Sequence, residues 1–394
     1  MGIADPTISE TTLRGRAEAL VPVLRERGTE TEELRRIPDS TIEDYASAGL
    51  FGAMRPREAG GLEIGLNTFV DLTRILARGD ASSAWIGGFF MSHVWLLSKL
   101  GPEAQDEIFG DRPWILAAAV SAPPGRAERV DGGYRVNGRW RFASGIMHSE
   151  WTVVLAMGED GPLSCVLPVE SVQIHDTWHV PGMKGTGSND VEAQDLFVPD
   201  HRAVGFEVVA SPDCPGAQAF DYPLLRYPMH RILPLIHPAV AVGTAEGALE
   251  LFAQALEGRV RPQTRLPIAD ESTVHETYGE AFYQLRSAQL QLDHAIDMID
   301  TIYGASGTPD PTLETRAELN LAVTAAGVQA FKAVDLVIQS SGASIHRTGH
   351  PMDRICRDTQ VMRNHGIMDW RYTTAVAGRV LMGKGLGDHA DVFF

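Results

Sequence analysis

Three side chains in this sequence have the chemistry to hold or move a proton: His93, Ser144 and His365. An imidazole exchanges a proton near neutral pH, and a hydroxyl holds one by hydrogen bonding. His93 falls on an apolar stripe with Trp85, Phe89, Leu96 and Leu100, at steps of four, four, three and four residues. That spacing puts all five on one helical face. Two readings fit such a histidine. It is a core imidazole satisfied by a backbone carbonyl, or it lines an apolar pocket and donates to a substrate oxygen. His365 ends the run Thr359-Gln-Val-Met-Arg-Asn-His365, expected to be helical. It reads either as a surface imidazole or as an acid/base group near a pocket.

Ser144 ends a segment with strand character. Tyr134 and Val136 lead into Asn137-Gly138, a dipeptide suited to the positive φ angles of a type I′ turn. Trp140 and Phe142 alternate with Arg139 and Arg141, as on a strand with one buried face. Ser144-Gly145 then lets a ligand come close to the backbone. Two aromatics, a hydroxyl and exposed backbone suit a flat heteroaromatic ring such as a flavin; the alternative is a hairpin with a buried aromatic face. Downstream, Gly185, Gly187 and Ser188 make a loop of exposed amides. It could cradle phosphate or be a turn, but it lacks the Lys-Ser or Lys-Thr of a Walker A loop.

The positioning elements divide into three segments, 1–111, 112–205 and 206–394. The first is helical, with helices expected over 8–50 (broken at Pro38), 66–78 and 82–99. The second is β-rich, with turns every 8–12 residues, and reads as a small barrel or sandwich. The third opens with a Pro-containing stretch, 206–227, expected as a surface excursion or lid. Helices at 236–257, 273–303, 311–340 and 358–383 then suggest an antiparallel four-helix bundle. Asp358 suits the first turn of the last helix.

Composition narrows the class. The chain has 394 residues and a formal net charge of −17, which argues against a nucleic-acid partner and an anionic membrane surface. Cys165, Cys214 and Cys356 are few, odd in number and far apart. They fit neither a disulfide framework nor a compact zinc motif, so no metal site is expected. No secretory leader and no 18-residue apolar run is read from the sequence, and a reducing cytoplasm is the expected compartment.

The order of helices, β segment and helical bundle resembles the acyl-CoA dehydrogenase fold. With the motifs at Gly132–Trp151, Gly182–Pro199 and Arg354–His365, it resembles more narrowly the flavin-dependent monooxygenases built on that fold. These are the oxygenase components of two-component phenol-, indole- and amine-type hydroxylases. The resemblance implies hydroxylation of an aromatic or polycyclic small molecule through a C4a-hydroperoxyflavin. The reactants would be O2 and reduced FMN or FAD from a separate NAD(P)H-dependent reductase. It implies that Trp140, Phe142, Ser144 and Gly145 pass along the isoalloxazine, with Ser144 near N5. Thr186 and Ser188 would lie beside flavin or substrate, and Arg261 or Arg265 would face the flavin phosphate. His93 would orient the substrate and His365 would act as acid or base. A homotetramer, with a neighbouring subunit completing the flavin site, is also implied. The alternative is an acyl-CoA dehydrogenase, which needs a carboxylate base; Arg363-Asn-His365-Gly366 stands at the comparable place without a Glu. The Ala117–Ala119 strand lacks a hydroxyl that some relatives use for a phenol, with Ser121 further on. His148 reads as structural.

Overall fold

A computed structural model describes residues 8–261, 265–304 and 311–388. The chain starts with five helices: α1 Glu10–Leu34, α2 Asp39–Ala48, α3 Leu66–Ala77, α4 Ala81–Leu97 and α5 Pro102–Phe109. α4 begins where the Asp80 carboxylate accepts the Ser83 amide at 2.8 Å, the usual satisfaction of an orphan N-terminal donor. Apart from Phe89, every residue of α4 is buried, so it runs through the core rather than along its edge.

Seven strands follow: β1 Ala117–Val130, β2 Gly133–Ala143, β3 Trp151–Gly158, β4 Gly161–Pro168, β5 Gln173–His175, β6 Asn189–Pro199 and β7 Ala203–Gly205. The segment expected as a small barrel or sandwich is one sheet, ordered β5-β6-β2-β1-β3-β4-β7. β1 and β3 run parallel and the other pairs are antiparallel. The hairpin between β1 and β2 turns at Asp131-Gly132, where Val130 pairs with Gly133, and not at Asn137-Gly138. Asn137-Gly138 lies inside β2 at a register shift. Its job there is space: a Cβ on Gly138 would stand 2.8 Å from the Trp140 ring, and one on Gly125 only 2.4 Å.

Trp140 fills that space. It is fully buried in the sheet's own core and donates from Nε1 to the Leu155 carbonyl at 2.7 Å. Phe142 does not share its face, being 63% exposed. A second register shift between Trp140 and Ala143, with Phe142 at φ 68°, breaks the alternation. The expected single aromatic face is therefore two opposite ones.

The 206–227 stretch is not a surface excursion. It carries α6 Phe206–Ala210 and α7 Pro215–Ala219, and Tyr222, Leu224, Leu225 and Tyr227 are buried. Polar groups of the N-terminal helices hold its backbone: Trp95 Nε1 donates to Leu224 O at 3.1 Å, and Lys99 Nζ to Tyr227 O at 3.0 Å. After α8 Met229–Ile232 come α9 Ile236–Leu256, α10 Ser272–Tyr303, α11 Leu313–Ser340, α12 Pro351–Met362 and α13 Trp370–Leu381. Contrary to the apolar-run reading, Met229–Leu256 and Leu313–Ser340 are long and apolar enough to cross a membrane; 83% and 56% of their apolar windows are buried in the protein, as in core helices.

The expected last helix, 358–383, is two helices. His365 caps a short turn, Gly366–Met368, and the Asp369 carboxylate accepts the Tyr372 amide at 3.0 Å to start α13. Two capping residues within five positions stop one helix and start the next. Asp358 accordingly sits in the second half of α12 and is buried, with Asp353 in its first turn.

Candidate active site

α4 meets both parts of the site. A Cβ on Gly145 would meet Phe90 at 2.9 Å and Ile86 at 3.5 Å, so the turn after β2 rests directly on this helix. Gly145 has φ 78°, and its amide donates to Thr186 O at 2.9 Å. On the adjoining part of the same face, Phe89, His93 and Leu96 line a cavity of about 460 Å³.

The turn after β2 and the loop before β6 meet through hydroxyls. Ser144 Oγ lies 2.8 Å from Ser188 Oγ, which lies 2.7 Å from Thr186 Oγ1. Thr186 Oγ1 donates to Met183 O at 2.9 Å. Gly187, at φ 52°, turns the backbone between the two loop hydroxyls. The exposed Phe142 ring meets Trp178 edge-on at 6.0 Å, and Trp178 Nε1 donates to Met183 O at 2.9 Å.

This loop is fixed from beneath. A Cβ on Gly182 would lie 2.1 Å from Arg357 O, so the backbone at Gly182 packs directly on α12. The Met183 amide donates to the Asp358 carboxylate, and Arg354 pairs with Asp80 at 3.3 Å. Burial and the neighbouring Asp80 push Asp358 up to about 7. Gly28 of α1 makes room for Arg354: a Cβ there would stand 2.1 Å from the guanidinium carbon. Asp80 thus caps α4 and anchors α12 at once.

The cavity is mostly apolar, with polar atoms from several elements: His93 of α4, Ser121 of β1, Ser164 of β4, His230 and Arg231 of α8, His237 of α9, and Asn320 and Thr324 of α11. Arg231 donates to Asn320 Oδ1 at 3.0 Å. Among the described lining residues there is no Asp or Glu. Burial pushes His93 down to about 4. Burial also pushes His230 down to about 4, helped by the positive charge of Arg231, Arg316 and Lys99. At neutral pH these imidazoles are uncharged.

Hydrogen bonding sets their tautomers. His93 Nδ1 lies 2.6 Å from Ala117 O. A carbonyl can only accept, so Nδ1 carries the proton and the neutral ring offers Nε2 as an acceptor. His93 thus satisfies a backbone carbonyl and also lines the cavity, and its free nitrogen is an acceptor, not the donor expected from the sequence. His237 follows the same rule. Its Nδ1 donates to Pro234 O at 3.0 Å, and its Nε2 lies 3.2 Å from His365 Nε2. The His365 Nδ1 accepts the Ile367 amide at 3.3 Å, so its Nε2 proton points to His237. All four ring nitrogens of this pair are engaged. Burial and the neighbouring His365 hold His237 well below 6.5. Burial of its ring beside Trp85 and His237 pushes His365 down to about 4, although the residue as a whole is exposed.

The predicted residues therefore separate. Ser144, Gly145, Thr186 and Ser188 come together, with Phe142 beside Trp178. Trp140 belongs to the sheet core. Arg261 pairs with Glu271 at the tip between α9 and α10, and neither Arg261 nor Arg265 lines the cavity. His148 donates from Nε2 to Ile37 O at 2.8 Å, a structural tie. His365 touches the cavity residue His237 without itself lining the cavity. His237 was missed; its only sequence signal was a His-Pro pair at the start of an apolar helix.

A flavin fits these residues. Phe142 offers an exposed aromatic ring and Ser144, two residues on, a hydroxyl, whereas the expected open backbone at Gly145 is buried against Phe90 and supports the turn from behind. Trp85 Nε1 is a buried donor with no partner among the described residues.

Comparison with known proteins agrees. Residues 10–110 match the acyl-CoA dehydrogenase N-terminal domain and 235–370 the C-terminal domain. A pigment production hydroxylase of a Rhodococcus strain is 30% identical over 97% of this chain and 99% of its own. The flavin-dependent monooxygenase oxygenase subunit HsaA of Rhodococcus jostii is 32% identical, over 90% of this chain and 94% of its own. The solved structure of XiaF from Streptomyces in complex with FADH2 and glycerol superposes with a TM-score of 0.87 at 26% identity, covering 97% of each chain. The chain belongs to the acyl-CoA dehydrogenase family, in its branch of flavin-dependent monooxygenase oxygenase components.

Proposed function

From that membership, we propose that the protein hydroxylates an aromatic or polycyclic small molecule held in the cavity beside α4. Reduced FMN or FAD comes from a separate NAD(P)H-dependent reductase. When bound, the reduced flavin supplies the two electrons that activate O2. Phe142 and Ser144, with Gly145, Thr186 and Ser188 behind them, would hold it. Cavity volumes of this order are common for small-molecule sites.

The observation that carries the reading is His93. A neutral imidazole with an acceptor nitrogen on an apolar wall suits a substrate O–H or N–H. Accepting that proton makes an aromatic ring more electron-rich and readier to receive oxygen. His365 can take part in proton exchange only by parting from His237, so we assign the substrate contact to His93. The lack of a carboxylate on the described cavity wall speaks against acyl-CoA dehydrogenation, which needs one to remove an α-proton.

The apolar side chains exposed on α10 and at the end of α13, among them Phe282, Tyr283, Leu290, Leu381 and the following Met382, suit burial between copies. A homotetramer accounts for them, and it gives the Arg261 loop a neighbouring flavin to face. The free thiols Cys165, Cys214 and Cys356 suit a reducing cytoplasm.

The test supplies reduced FMN or FAD through a separate reductase, with labelled O2 and a panel of phenols, indoles and polycyclic aromatics. Label in a hydroxylated product is the expected result. Peroxide alone across the panel, together with bleaching of bound flavin by an acyl-CoA, would overturn the reading.

A further inference from the structure

We infer that the Ser144–Ser188–Thr186 hydroxyl chain has a fixed direction that leaves Ser144 an acceptor, so that this site selects reduced over oxidised flavin. The inference rests on the reading that Ser144 meets flavin N5. It makes Thr186 and Ser188 positioning residues for that selection.

The direction follows from counting protons, beginning at the end that has no choice. Met183 O is a carbonyl and can only accept. It takes Trp178 Nε1 at 2.9 Å, Thr186 Oγ1 at 2.9 Å and the Thr186 amide at 3.2 Å. A hydroxyl has one proton to give and two lone pairs. Thr186 has given its proton to Met183, so the 2.7 Å contact with Ser188 must be Ser188 donating. Ser188 then has none left, so the 2.8 Å contact with Ser144 must be Ser144 donating. Ser144 is left with lone pairs only.

Reversal is costly. Met183 O would keep its two N–H donors, but the lone pairs of Thr186 Oγ1 and Met183 O would face each other at 2.9 Å. Thr186 and Ser188 are 2% and 4% exposed, so bulk water does not readily replace a lost partner. The backbone holds the order in place, because Gly187 in the left-handed region turns both hydroxyls into one line.

Reduced flavin carries a hydrogen on N5, whereas oxidised flavin carries a bare lone pair there. An acceptor-only Ser144 bonds the first and repels the second. The same bond holds the N5 hydrogen while oxygen is in the site, which opposes its early loss and the release of peroxide.

The test is anaerobic equilibrium binding of reduced and oxidised FMN and FAD, read as the ratio of the two Kd values for each flavin. The native chain should bind the reduced form more tightly. Thr186→Val frees Ser188 to donate to Ser144, and Ser188→Ala removes the acceptor of the Ser144 proton. Either change releases that proton toward N5 and should shrink the ratio about two- to tenfold, the range of one net hydrogen bond. Thr186→Ser keeps the hydroxyl and should keep the ratio, which separates hydroxyl direction from loop packing. Should Thr186→Val and Ser188→Ala leave the ratio intact while Ser144→Ala collapses it, the direction is wrong and the placement of Ser144 stands. Should Ser144→Ala also leave it intact, Ser144 does not meet N5 and the inference falls with that reading.

Discussion

On the loop side of the site, the hydroxyls of Ser144, Ser188 and Thr186 are directed by hydrogen bonds and locked by backbone packing at Gly182, Gly145 and Gly187. On the cavity side, His93 and His237 stand in an apolar wall, kept neutral by burial and, for His237, by the neighbouring His365 as well. The loop side has its geometry set before any ligand arrives. The cavity side has its charge set but keeps space for a substrate. A single helix serves both, turning Ile86 and Phe90 to the loop side and Phe89, His93 and Leu96 to the cavity. Two different demands, holding a flat cofactor and admitting a variable substrate, are thus met by residues a few positions apart.

The division is tested most severely by His93→Ala. Loss of a proton acceptor in the reacting complex should lower the hydroxylation rate about 10²–10⁴-fold. Binding of reduced flavin, measured without oxygen, should change little. A loss of flavin affinity as large as the loss of rate would show that the two sides do not act separately.

A smaller effect comes from adding the same methyl group on each side. Gly182→Ala places a Cβ 2.1 Å from the Arg357 carbonyl oxygen and 2.6 Å from the Asp358 amide, both backbone atoms that cannot swing away. It should cost about 1–3 kcal/mol of stability and loosen flavin binding. Gly366 lines the cavity, and a Cβ there meets nothing within 4 Å. Gly366→Ala should leave the unfolding free energy within about 0.5 kcal/mol. Denaturant unfolding of both variants checks this, and equal losses would remove the contrast between a locked loop and an open cavity.

Much of this architecture was legible because it follows from local periodicity. The helical stripes placed α3, α4, α9, α10 and α11 to within a few residues. What was not legible depends on long-range pairing. Asn137-Gly138 carries a turn signal, yet its glycine serves the Trp140 ring, a need visible only once Gly125 of the neighbouring strand faces it. Trp140 and Phe142 sit two apart and should share a face, but a bulge opposite β6 sends them to opposite sides. His365 was picked out by its motif, while His237 was not, because a histidine in an apolar helix gives no sign of the partner 128 positions away that it meets. Ser144, Thr186 and Ser188 were each identified, but their order of donation needed the Met183 carbonyl in place.

The contrast extends to acid stability, where the two sides should work against each other. His93 has a folded value of about 4 against 6.5 unfolded, and His237 is also held low. Between about pH 6.5 and 4 the unfolded chain takes up these protons and the folded chain does not, so their contribution to stability is lost as pH falls. Asp358 has the opposite sign. Its folded value of about 7 lies above 3.8, so its contribution is full at low pH and is lost as pH rises toward 7. Each such group changes stability by about 1.4 kcal/mol per pH unit inside its window. His230 and His365, also held at about 4, act in the same direction as His93 and His237, so together they outweigh the one loop carboxyl and stability should fall on acidification from 6.5. Asp358→Asn keeps an acceptor for the Met183 amide but removes the opposing proton, so stability should fall more steeply with acid. His93→Asn should make the fall shallower. Urea unfolding at several pH values measures all three slopes, and a native chain that gains stability from pH 6.5 to 5 would mean that the loop carboxyl, not the cavity, governs its response to acid.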